Sequence, residues 1–324
     1  MHRRGAPWFR VLSAFRPDQR HPYAGRVHDR SAHLLEWVIL TMGDRPATLA
    51  AAVQSVRSQS VLHDDPADPD VTVVSNGGGV SLLPEGVSAT VVESAENIGV
   101  PAGRDLGIRS TSAPLIGFLD DDAVLRSGAG AIVEAFDSSP ELGVVSLRLV
   151  DEVGRSATRH VPRPGGRRAD ESGPVAVFLG GASVVRRAAY EQVGGYFTDL
   201  QYGHEEVELS WRLIDAGWQI RYLADVEVFH PRAEIGRHEH GWRLTGRNRV
   251  WVARRTLPWP VAIVHVTIWL VVGVWRAPDT SCRCSYLSGW WQGWRTTWPS
   301  GSPRRPISWR GVWRLTRLGR PPIV

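Results

Sequence analysis

Short apolar runs alternate with stretches of mixed polarity along the first third of the chain. Each run is short enough for a buried strand, and we predict strands at 37–42, 71–74, 89–92 and 115–119. Helix-compatible segments lie between them, at 47–58 and 98–110, and Pro46 opens the first. Strands that alternate with helices predict an α/β fold with a mainly parallel sheet, whose ligands gather where the strands end.

The pattern is less regular in the second half of the α/β region. Four further apolar runs predict strands at 143–150, 175–179, 220–223 and 226–229. Residues 155–173 are rich in Arg, Gly and Pro and predict a loop. Residues 205–216 place apolar side chains on one side and predict a helix, which Gly217 is well placed to end.

An almost entirely apolar segment, 257–275, follows this region, and the residues after it are rich in Trp and Arg. Its length is near the lower limit for crossing a bilayer. Trp beside Arg favours a membrane interface with anionic headgroups, whereas a buried helix with a polar tail is the alternative. We therefore divide the chain into a basic N-terminal arm at 1–35, an α/β domain at 36–256 and a membrane-associating C-terminal appendage at 257–324.

The charge and cysteine content narrow the chemistry. The net charge is +5, and the 38 basic residues counted as Lys or Arg are all arginines. The absence of lysine excludes Schiff-base catalysis and a phosphate-loop lysine. Cys282 and Cys284 stand too close together for a relaxed disulfide. With no apolar core of a secretory signal near the N-terminus, we expect a cytoplasmic protein on the inner face of the cell membrane.

Three consecutive aspartates, Asp120, Asp121 and Asp122, follow the apolar run at 115–119. Neighbouring carboxylates repel one another when they are ionised and partly desolvated. A hard divalent cation with oxygen ligands, Mg²⁺ or Mn²⁺, relieves that repulsion. In an extended segment Asp120 and Asp122 point the same way, so both could face one metal–nucleotide complex. An acidic turn that caps the next segment is the alternative interpretation.

A second group of acids opens the predicted helix at 205–216. Glu205, Glu206 and Glu208 follow a Gly-His pair, and acids at a helix N-terminus can simply complement the helix dipole. A positioned carboxylate can also remove the proton of a sugar hydroxyl as it attacks. His230 ends the last predicted strand, where it could supply a nitrogen ligand to the same metal.

These motifs occur in one order along the chain, and in that order they resemble glycosyltransferase family 2. The ordered set is Thr41-Met-Gly-Asp-Arg-Pro46, Val73-Val-Ser-Asn-Gly77, Asn97-Ile-Gly99, Gly103-Arg-Asp-Leu-Gly107, Phe118-Leu-Asp-Asp-Asp122, Gly180-Gly181, Gly203-His-Glu-Glu-Val-Glu-Leu209 with Arg212, and Phe229-His-Pro231. The resemblance covers roughly residues 36–256 and implies a GT-A fold. Each motif alone is weak, and the ordered set carries the resemblance.

The family resemblance implies which residues contact the nucleoside-diphosphate sugar donor. Residues after the first two strands would border the nucleotide, and Gly180 and Gly181 would let the sugar approach the backbone closely. Two arginines after the α/β core would grip the diphosphate. The implied donor contacts are Thr41, Arg45, Ser75, Asn76, Arg104, Asp120, Asp121, Gly181, Arg247 and Arg249. Many relatives have Asp where Ser75 stands.

The resemblance also implies a metal site and a catalytic base. Asp122 and His230, with Asp120, would hold Mn²⁺ or Mg²⁺ beneath the diphosphate. Glu206 best matches the base that takes the proton of an acceptor hydroxyl in an inverting transfer, with Glu205 as its reserve. The acceptor expected from the C-terminal appendage is a polysaccharide or a lipid-linked glycan.

Four other functions are compared with this one. A sugar-phosphate nucleotidyltransferase is also α/β and uses a metal, but it usually grips phosphates with lysine, which this chain lacks. A catalytically silent, membrane-associated module could keep the sugar-nucleotide fold. Trp among Arg in the appendage could stack nucleic-acid bases, yet that explanation leaves the adjoining apolar run unused, so we expect no nucleic-acid partner. A nicotinamide dehydrogenase lacks its G-x-G-x-x-G after the first strand.

Overall fold

A computed structural model describes residues 34–59, 70–77, 83, 87–232 and 241–323. The predicted N-terminal arm lies outside the described residues except for its last two positions. The described chain contains a nine-stranded sheet. Its strands are β1 Leu35–Thr41, β2 Val71–Asn76, β3 Thr90–Ser94, β4 Leu115–Asp120, β5 Val124–Leu125, β6 Leu142–Val150, β7 Gly173–Pro174, β8 Ala182–Arg186 and β9 Gln219–Phe229.

The sheet is parallel in one half and mixed in the other. The strand order is β3-β2-β1-β4-β8-β6-β9-β5, with β7 also paired to β9. The strands β3, β2, β1 and β4 run parallel, while β8 runs antiparallel between β4 and β6. Parallel neighbours end at the same edge, so the carboxyl ends of β1, β2 and β4 meet there, as the sequence pattern predicts.

Nine helices within the described residues surround the sheet. They are α1 Pro46–Arg57, α2 Val100–Arg109, α3 Ala129–Ser138, α4 Arg187–Val193, α5 Glu205–Ala216, α6 Gly241–Thr256, α7 Trp259–Arg276, α8 Thr280–Arg295 and α9 Trp309–Arg317. Alternate strand residues face opposite layers. In β1, Val38 belongs to the core shared with α5 and α6, whereas Trp37 and Ile39 belong to the core shared with α1 and α3. The predicted α/β fold is confirmed.

Two strand predictions in the second half are wrong. Residues 175–179 are buried but lie outside the sheet strands, and the strand that pairs there is β8, which follows Gly180-Gly181. Residues 220–223 and 226–229 form one strand, β9, whose register with β6 shifts between Leu147 and Arg148. An apolar run reports burial but not pairing, so it could not separate these cases.

The C-terminal helices pack on the α/β region and share its core. Leu257, Val261 and Val266 lie in the same buried cluster as Leu209 of α5 and Tyr222 of β9. The boundary at 256/257 therefore separates two sequence patterns, whereas the packing continues across it. One described helix, α7, is long and apolar enough to cross a membrane by length and composition. Its 18 residues have a mean hydropathy of 1.5, and 28% of them are buried.

Candidate active site

The strand β4 ends in the aspartate triplet, and the segment after β1 fixes its middle member. The Thr41 hydroxyl donates to Oδ2 of Asp121 at 2.7 Å, and Arg45 Nη2 donates to its Oδ1 at 2.6 Å. Burial raises the pKa of Asp121, while the hydrogen bond from Thr41 and the charge of Arg45 oppose that rise. Arg45 also ion-pairs with Asp122 through its Nη1 atom, so Thr41 and Arg45 together fix the second and third aspartates at the cleft.

Asp120, Asp122 and His230 form a group with the composition of a metal site. One ligand atom from each lies within 4.8 Å of the others. His230 Nε2 is 3.4 Å from Oδ1 of Asp122 and 3.7 Å from Oδ2 of Asp120. The short strand β5, which follows the triplet, pairs with the end of β9 through Val124 and Phe229. That pairing brings His230 to the triplet from 108 residues away.

The orientation of the His230 ring fits metal binding. Its Nδ1 atom lies 2.8 Å from the carbonyl oxygen of Pro231. A proton on Nδ1 makes that hydrogen bond and leaves the lone pair of Nε2 pointing toward the two carboxylates, as a metal-ligating histidine requires. Two carboxylates and one imidazole suit Mn²⁺ or Mg²⁺. These residues therefore fit the cation that the sequence predicts.

Arg104 joins this corner to the acids of α5. Its Nη1 atom lies 3.0 Å from Oε1 of Glu206 and 3.8 Å from Glu205, and its Nη2 atom lies 3.6 Å from Oδ1 of Asp120. Burial would lower the pKa of Arg104, but Tyr196 and the three carboxylates raise it above its ordinary value. The permanent positive charge therefore holds Glu206 beside Asp120.

The two adjacent glutamates differ in environment. The Glu205 side chain is 4% exposed and its Oε2 atom has no hydrogen-bond partner, whereas that of Glu206 is 21% exposed. Burial and the neighbouring Glu206 raise the pKa of Glu205. Glu206 is therefore the more accessible carboxylate of the two.

Gly180 and Gly181 form the surface on which these groups converge. A Cβ at Gly181 would stand 1.9 Å from Oδ2 of Asp120, and one at Gly180 would stand 1.9 Å from Oε1 of Glu206. Any larger residue would displace one of the two carboxylates. The two glycines are thus needed to leave room for the carboxylates of Asp120 and Glu206. The sequence predicts a second reason, which is the close approach of the sugar to this backbone.

A buried ion network fixes α5 and the loop before it. Glu208 accepts hydrogen bonds from Arg212 at 2.8 Å, from Thr256 at 2.9 Å and from Arg255. The Asn248 amide donates to the backbone carbonyls of residues 200, 202 and 203. The Glu208 bonds link α5 to α6, and the Asn248 bonds link α6 to the loop before α5. The helix α6 therefore holds the position of the two glutamates that begin α5.

The aspartate triplet, His230, Arg104 and the glutamates 205 and 206 line one cleft of about 1200 Å³. Of the predicted site residues, the structure brings twelve to its lining: Thr41, Arg45, Asn76, Arg104, Asp120, Asp121, Asp122, Gly181, Glu205, Glu206, His230 and Arg249. Two predicted donor contacts do not reach it. Ser75 is fully buried, since adjacent residues of β2 point to opposite faces and only Asn76 faces the cleft.

Arg247 is the second predicted contact outside the cleft. Its Nη2 atom donates to the Leu200 carbonyl at 3.0 Å and to Oδ1 of Asn248 at 2.9 Å, and its guanidinium lies over Trp251. Residues two apart lie on nearly opposite sides of a helix, so Arg247 and Arg249 cannot both face the cleft. Arg249 is the one that does.

Several residues of the cleft were not predicted as site residues. His160 lies in the segment predicted as a loop, and its ring centre is 5.6 Å from that of His230. Tyr202 precedes the Gly-His pair that signalled α5. The lining also includes Trp242, Trp269, Arg276 and Tyr286. Trp269, Arg276 and Tyr286 belong to the appendage that the sequence predicts to associate with a membrane, because composition alone does not tell which side of a helix faces a cleft.

Comparison with known proteins gives a family match and several related enzymes. The model of "Glycosyl transferase family 2" matches residues 37–194. A pre-mycofactocin glycosyltransferase of Mycobacterium tuberculosis is 28% identical over 188 residues, which are 54% of this chain and 37% of that protein. An N-acetylglucosaminyl-diphospho-decaprenol L-rhamnosyltransferase of the same species is 30% identical over 108 residues, 32% of this chain and 30% of that protein.

Solved structures share the fold at low sequence identity. GalNAc-T7, solved with UDP, GalNAc and Mn²⁺, is 15% identical with a TM-score of 0.58, over 81% of this chain and 55% of that one. A mannosyltransferase of Pyrobaculum calidifontis, solved with GDP-Man and Mn²⁺, is 16% identical with a TM-score of 0.52, over 89% of this chain and 80% of that one. The GT-A fold is therefore confirmed.

Proposed function

We propose, from the premise that residues 37–194 are a family 2 glycosyltransferase domain, that this protein transfers a sugar from a nucleoside diphosphate to an acceptor hydroxyl. The observation that carries the proposal is the convergence of Asp120, Asp122, His230 and Glu206 in one cleft. The two solved relatives with Mn²⁺ contain UDP or GDP-Man, which supports a nucleoside-diphosphate sugar as donor.

Asp120, Asp122 and His230 would hold Mn²⁺ or Mg²⁺, which neutralises negative charge on a departing diphosphate when it is bound. Thr41, through its bond to Asp121, keeps the triplet in position for that role. Asn76 faces the same cleft and also accepts a hydrogen bond from the Ile98 amide at 2.9 Å. It fixes the loop that would border the nucleotide.

Glu206 would act as the general base. Its carboxylate lies in the cleft beside the Asp120 corner and is held there by Arg104 at 3.0 Å. An acceptor hydroxyl that donates its proton to Glu206 can attack the anomeric carbon opposite the departing nucleoside diphosphate, which inverts the anomeric configuration. Glu205 is more deeply buried than Glu206, and its pKa is raised by burial and by the neighbouring Glu206. It would therefore be the reserve base.

The acceptor is proposed to be a polysaccharide or lipid-linked glycan at the cytoplasmic face of the membrane. The exposed side of α7 carries apolar residues at helical spacing: Trp259, Ile263, Val264, Val271 and Trp275, each 44–79% exposed. Apolar side chains that face outward beside arginines suit a membrane interface. His265 on the other side is buried and bonded to Pro322, which favours a helix lying on the membrane over one crossing it.

A donor panel tests this function. The full chain is incubated with Mn²⁺ and UDP-, TDP- or GDP-sugars, and release of the nucleoside diphosphate is measured. We expect turnover with one nucleotide class, its loss in Glu206→Gln, and retained nucleotide binding in that variant. Unchanged turnover in Glu206→Gln would remove the proposed base. Nucleotide binding without turnover of any donor would identify a silent module, and pyrophosphate release from a nucleoside triphosphate would identify a nucleotidyltransferase.

A further inference from the structure

The part of the cleft lined by α6, α7 and α8 is cationic and aromatic. Arg249 of α6 lies with its Cζ atom 3.5 Å from the ring centre of Trp269, and Arg276 of α7 lies 5.4 Å from the same centre. The Tyr286 hydroxyl donates to the Trp269 carbonyl at 2.6 Å. All four side chains line the cleft that also contains the acids.

Arg249 lacks the carboxylate or carbonyl partners that the buried arginines of this chain have. Arg255 and Arg212 share Glu208, and Arg247 donates to a backbone carbonyl and an amide oxygen. Among the described residues, in contrast, no carboxylate lies within 4.0 Å of the Arg249 guanidinium. Its Nε atom is buried without a hydrogen-bond partner. The face of Trp269 stabilises this partly buried guanidinium, but no described anion neutralises it, so the position indicates a ligand that supplies the missing negative charge.

Among the described residues, the cationic groups that act on Arg249 are Arg276 and Arg320. Burial lowers its pKa to about 9; Tyr286 opposes the fall, while Arg276 and Arg320 add to it. Two cleft arginines with a third nearby match a group that carries more than one negative charge, as a phosphoryl group does. Trp269 and Tyr286 also line this part of the cleft.

The position of Arg249 favours the acceptor over the donor. The donor diphosphate belongs at the Asp122 and His230 corner, which β4 and β9 build, whereas Arg249 comes from α6. The residue before it, Asn248, donates to the carbonyls of Tyr202 and Gly203 at 2.8 and 3.0 Å, which places this turn of α6 beside the loop that leads into α5. Burial and the Arg249 charge both lower the pKa of His204. His204 immediately precedes Glu205 and the base Glu206. A substrate that reaches Glu206 with a hydroxyl can therefore place an anionic group at Arg249.

We infer that Arg249 and Arg276 form a subsite for a phosphoryl group on the acceptor. The inference rests on the proposed transferase function, because it assigns the arginine half of the cleft to the second substrate of that reaction. It revises the expectation that Arg249 grips the donor diphosphate. The class of acceptor that follows is a phosphate- or diphosphate-linked glycan whose hydroxyl lies within reach of Glu206.

Binding of a phosphate probe in the presence of nucleotide tests the subsite. The full chain in mild detergent is saturated with Mn²⁺ and the nucleoside diphosphate that binds best, and farnesyl phosphate is then titrated by calorimetry. Farnesol and inorganic phosphate serve as parallel probes, so that an apolar tail alone and a free anion alone are each measured. We expect farnesyl phosphate to bind the nucleotide-filled protein and farnesol to bind at least about ten-fold more weakly.

Two variants and one matched control separate the roles. Arg249→Gln and Arg276→Gln should each weaken farnesyl phosphate binding about 10- to 100-fold while the nucleoside diphosphate affinity stays within two-fold. Arg295 also lies over a Trp ring, at 4.6 Å from the centre of Trp291, but is exposed outside the cleft. Arg295→Gln should bind both ligands as the unchanged protein does.

Stability gives an independent readout. Arg249→Gln loses the stacking on Trp269 and also removes a charge that has no described counter-ion, so the melting temperature should change little, whereas the loss of an ion-paired structural arginine would lower it. Weaker nucleotide binding in Arg249→Gln, with farnesyl phosphate binding unchanged, would return this residue to the donor site and overturn the inference. Absence of farnesyl phosphate binding to the unchanged protein would also overturn it. If the proposed function itself were wrong, the result would be different, because no nucleoside diphosphate would then bind in the presence of Mn²⁺.

Discussion

The Nε2 atom of His230 lies 3.4 Å from Oδ1 of Asp122, although 108 residues separate the two in sequence. The contact exists because the two-residue strand β5 pairs with the last residues of β9. It places an imidazole from the mixed half of the sheet against carboxylates from the parallel half. The proposed donor chemistry depends on this junction.

Substitution of Gly181 by alanine should damage the site without unfolding the protein. The added Cβ would stand 1.9 Å from Oδ2 of Asp120, so the carboxylate must turn away from His230. We expect weaker Mn²⁺-dependent nucleotide binding, measured by calorimetry, with little change in melting temperature. Gly130→Ala is the matched control, because no atom lies within 4 Å of its added Cβ. Equal nucleotide affinity in Gly181→Ala would show that Asp120 does not contact the metal or the nucleotide.

Stability should depend on pH through Glu205. Burial and Glu206 raise the pKa of Glu205 above its ordinary value of 4.5 in the folded protein. The native state therefore binds more protons than the unfolded state above that pH, and the free energy of unfolding falls as pH rises toward the raised pKa. In Glu205→Gln this part of the slope should vanish. Urea unfolding of both proteins from pH 5 upward measures the difference, and identical slopes would contradict the raised pKa.

The network around Glu208 should carry a large share of the stability that couples α5 to α6. Glu208 is fully buried between Arg212 and Arg255. Glu208→Gln removes its charge and leaves two buried arginines without a counter-ion, which should cost about 3–5 kcal/mol in free energy of unfolding. The control Glu191→Gln removes an exposed carboxylate 3.9 Å from Arg187 and should cost less than about 1 kcal/mol. Similar losses in both variants would contradict the structural role of Glu208.

The exposed face of α7 should bind anionic vesicles. Val271 is 67% exposed and Trp275 is 79% exposed, and the double substitution Val271→Ser with Trp275→Ser removes two side chains that the membrane interior would take up. In sedimentation with phosphatidylglycerol vesicles at equal salt, the double variant should bind about ten-fold more weakly than the unchanged protein. Val153→Ser is the control, because Val153 is 65% exposed away from α7. If Val153→Ser loses as much vesicle binding as the double variant, general surface apolarity, and not this face of α7, determines binding.

The parallel half of the sheet and the acids at its edge could be predicted from sequence because local signals agree there. Apolar runs give β1, β2 and β4, and parallel strands end together, so the aspartate triplet falls at the cleft. The pattern around Glu205 and Glu206 likewise predicts both α5 and its acidic first turn. At these places burial, periodicity and chemistry point to the same answer.

The remainder depends on contacts distant in sequence. The helix α6 contains five arginines, and the sequence pattern does not predict it. Arg247 and Arg249 turn inward because they stack on Trp251 and Trp269. The close approach of α6 and α8 depends on Gly246, where a Cβ would stand 2.3 Å from the Tyr286 carbonyl oxygen. Single-sequence patterns contain no information on such pairs, so Trp269, Arg276 and Tyr286 of the cationic half are not predicted, whereas Arg249 is.

The central claim is that Asp122 and His230 act together on one divalent cation that binds with the nucleotide. Calorimetric titration of the best-binding nucleoside diphosphate, with and without Mn²⁺, tests it in the unchanged protein, in His230→Ala and in Asp122→Asn. The account predicts strong binding only with Mn²⁺ in the unchanged protein and a loss of about 10- to 100-fold in both variants. Nucleotide binding that is equal with and without Mn²⁺, or a His230→Ala variant that binds as well as the unchanged protein, would contradict it.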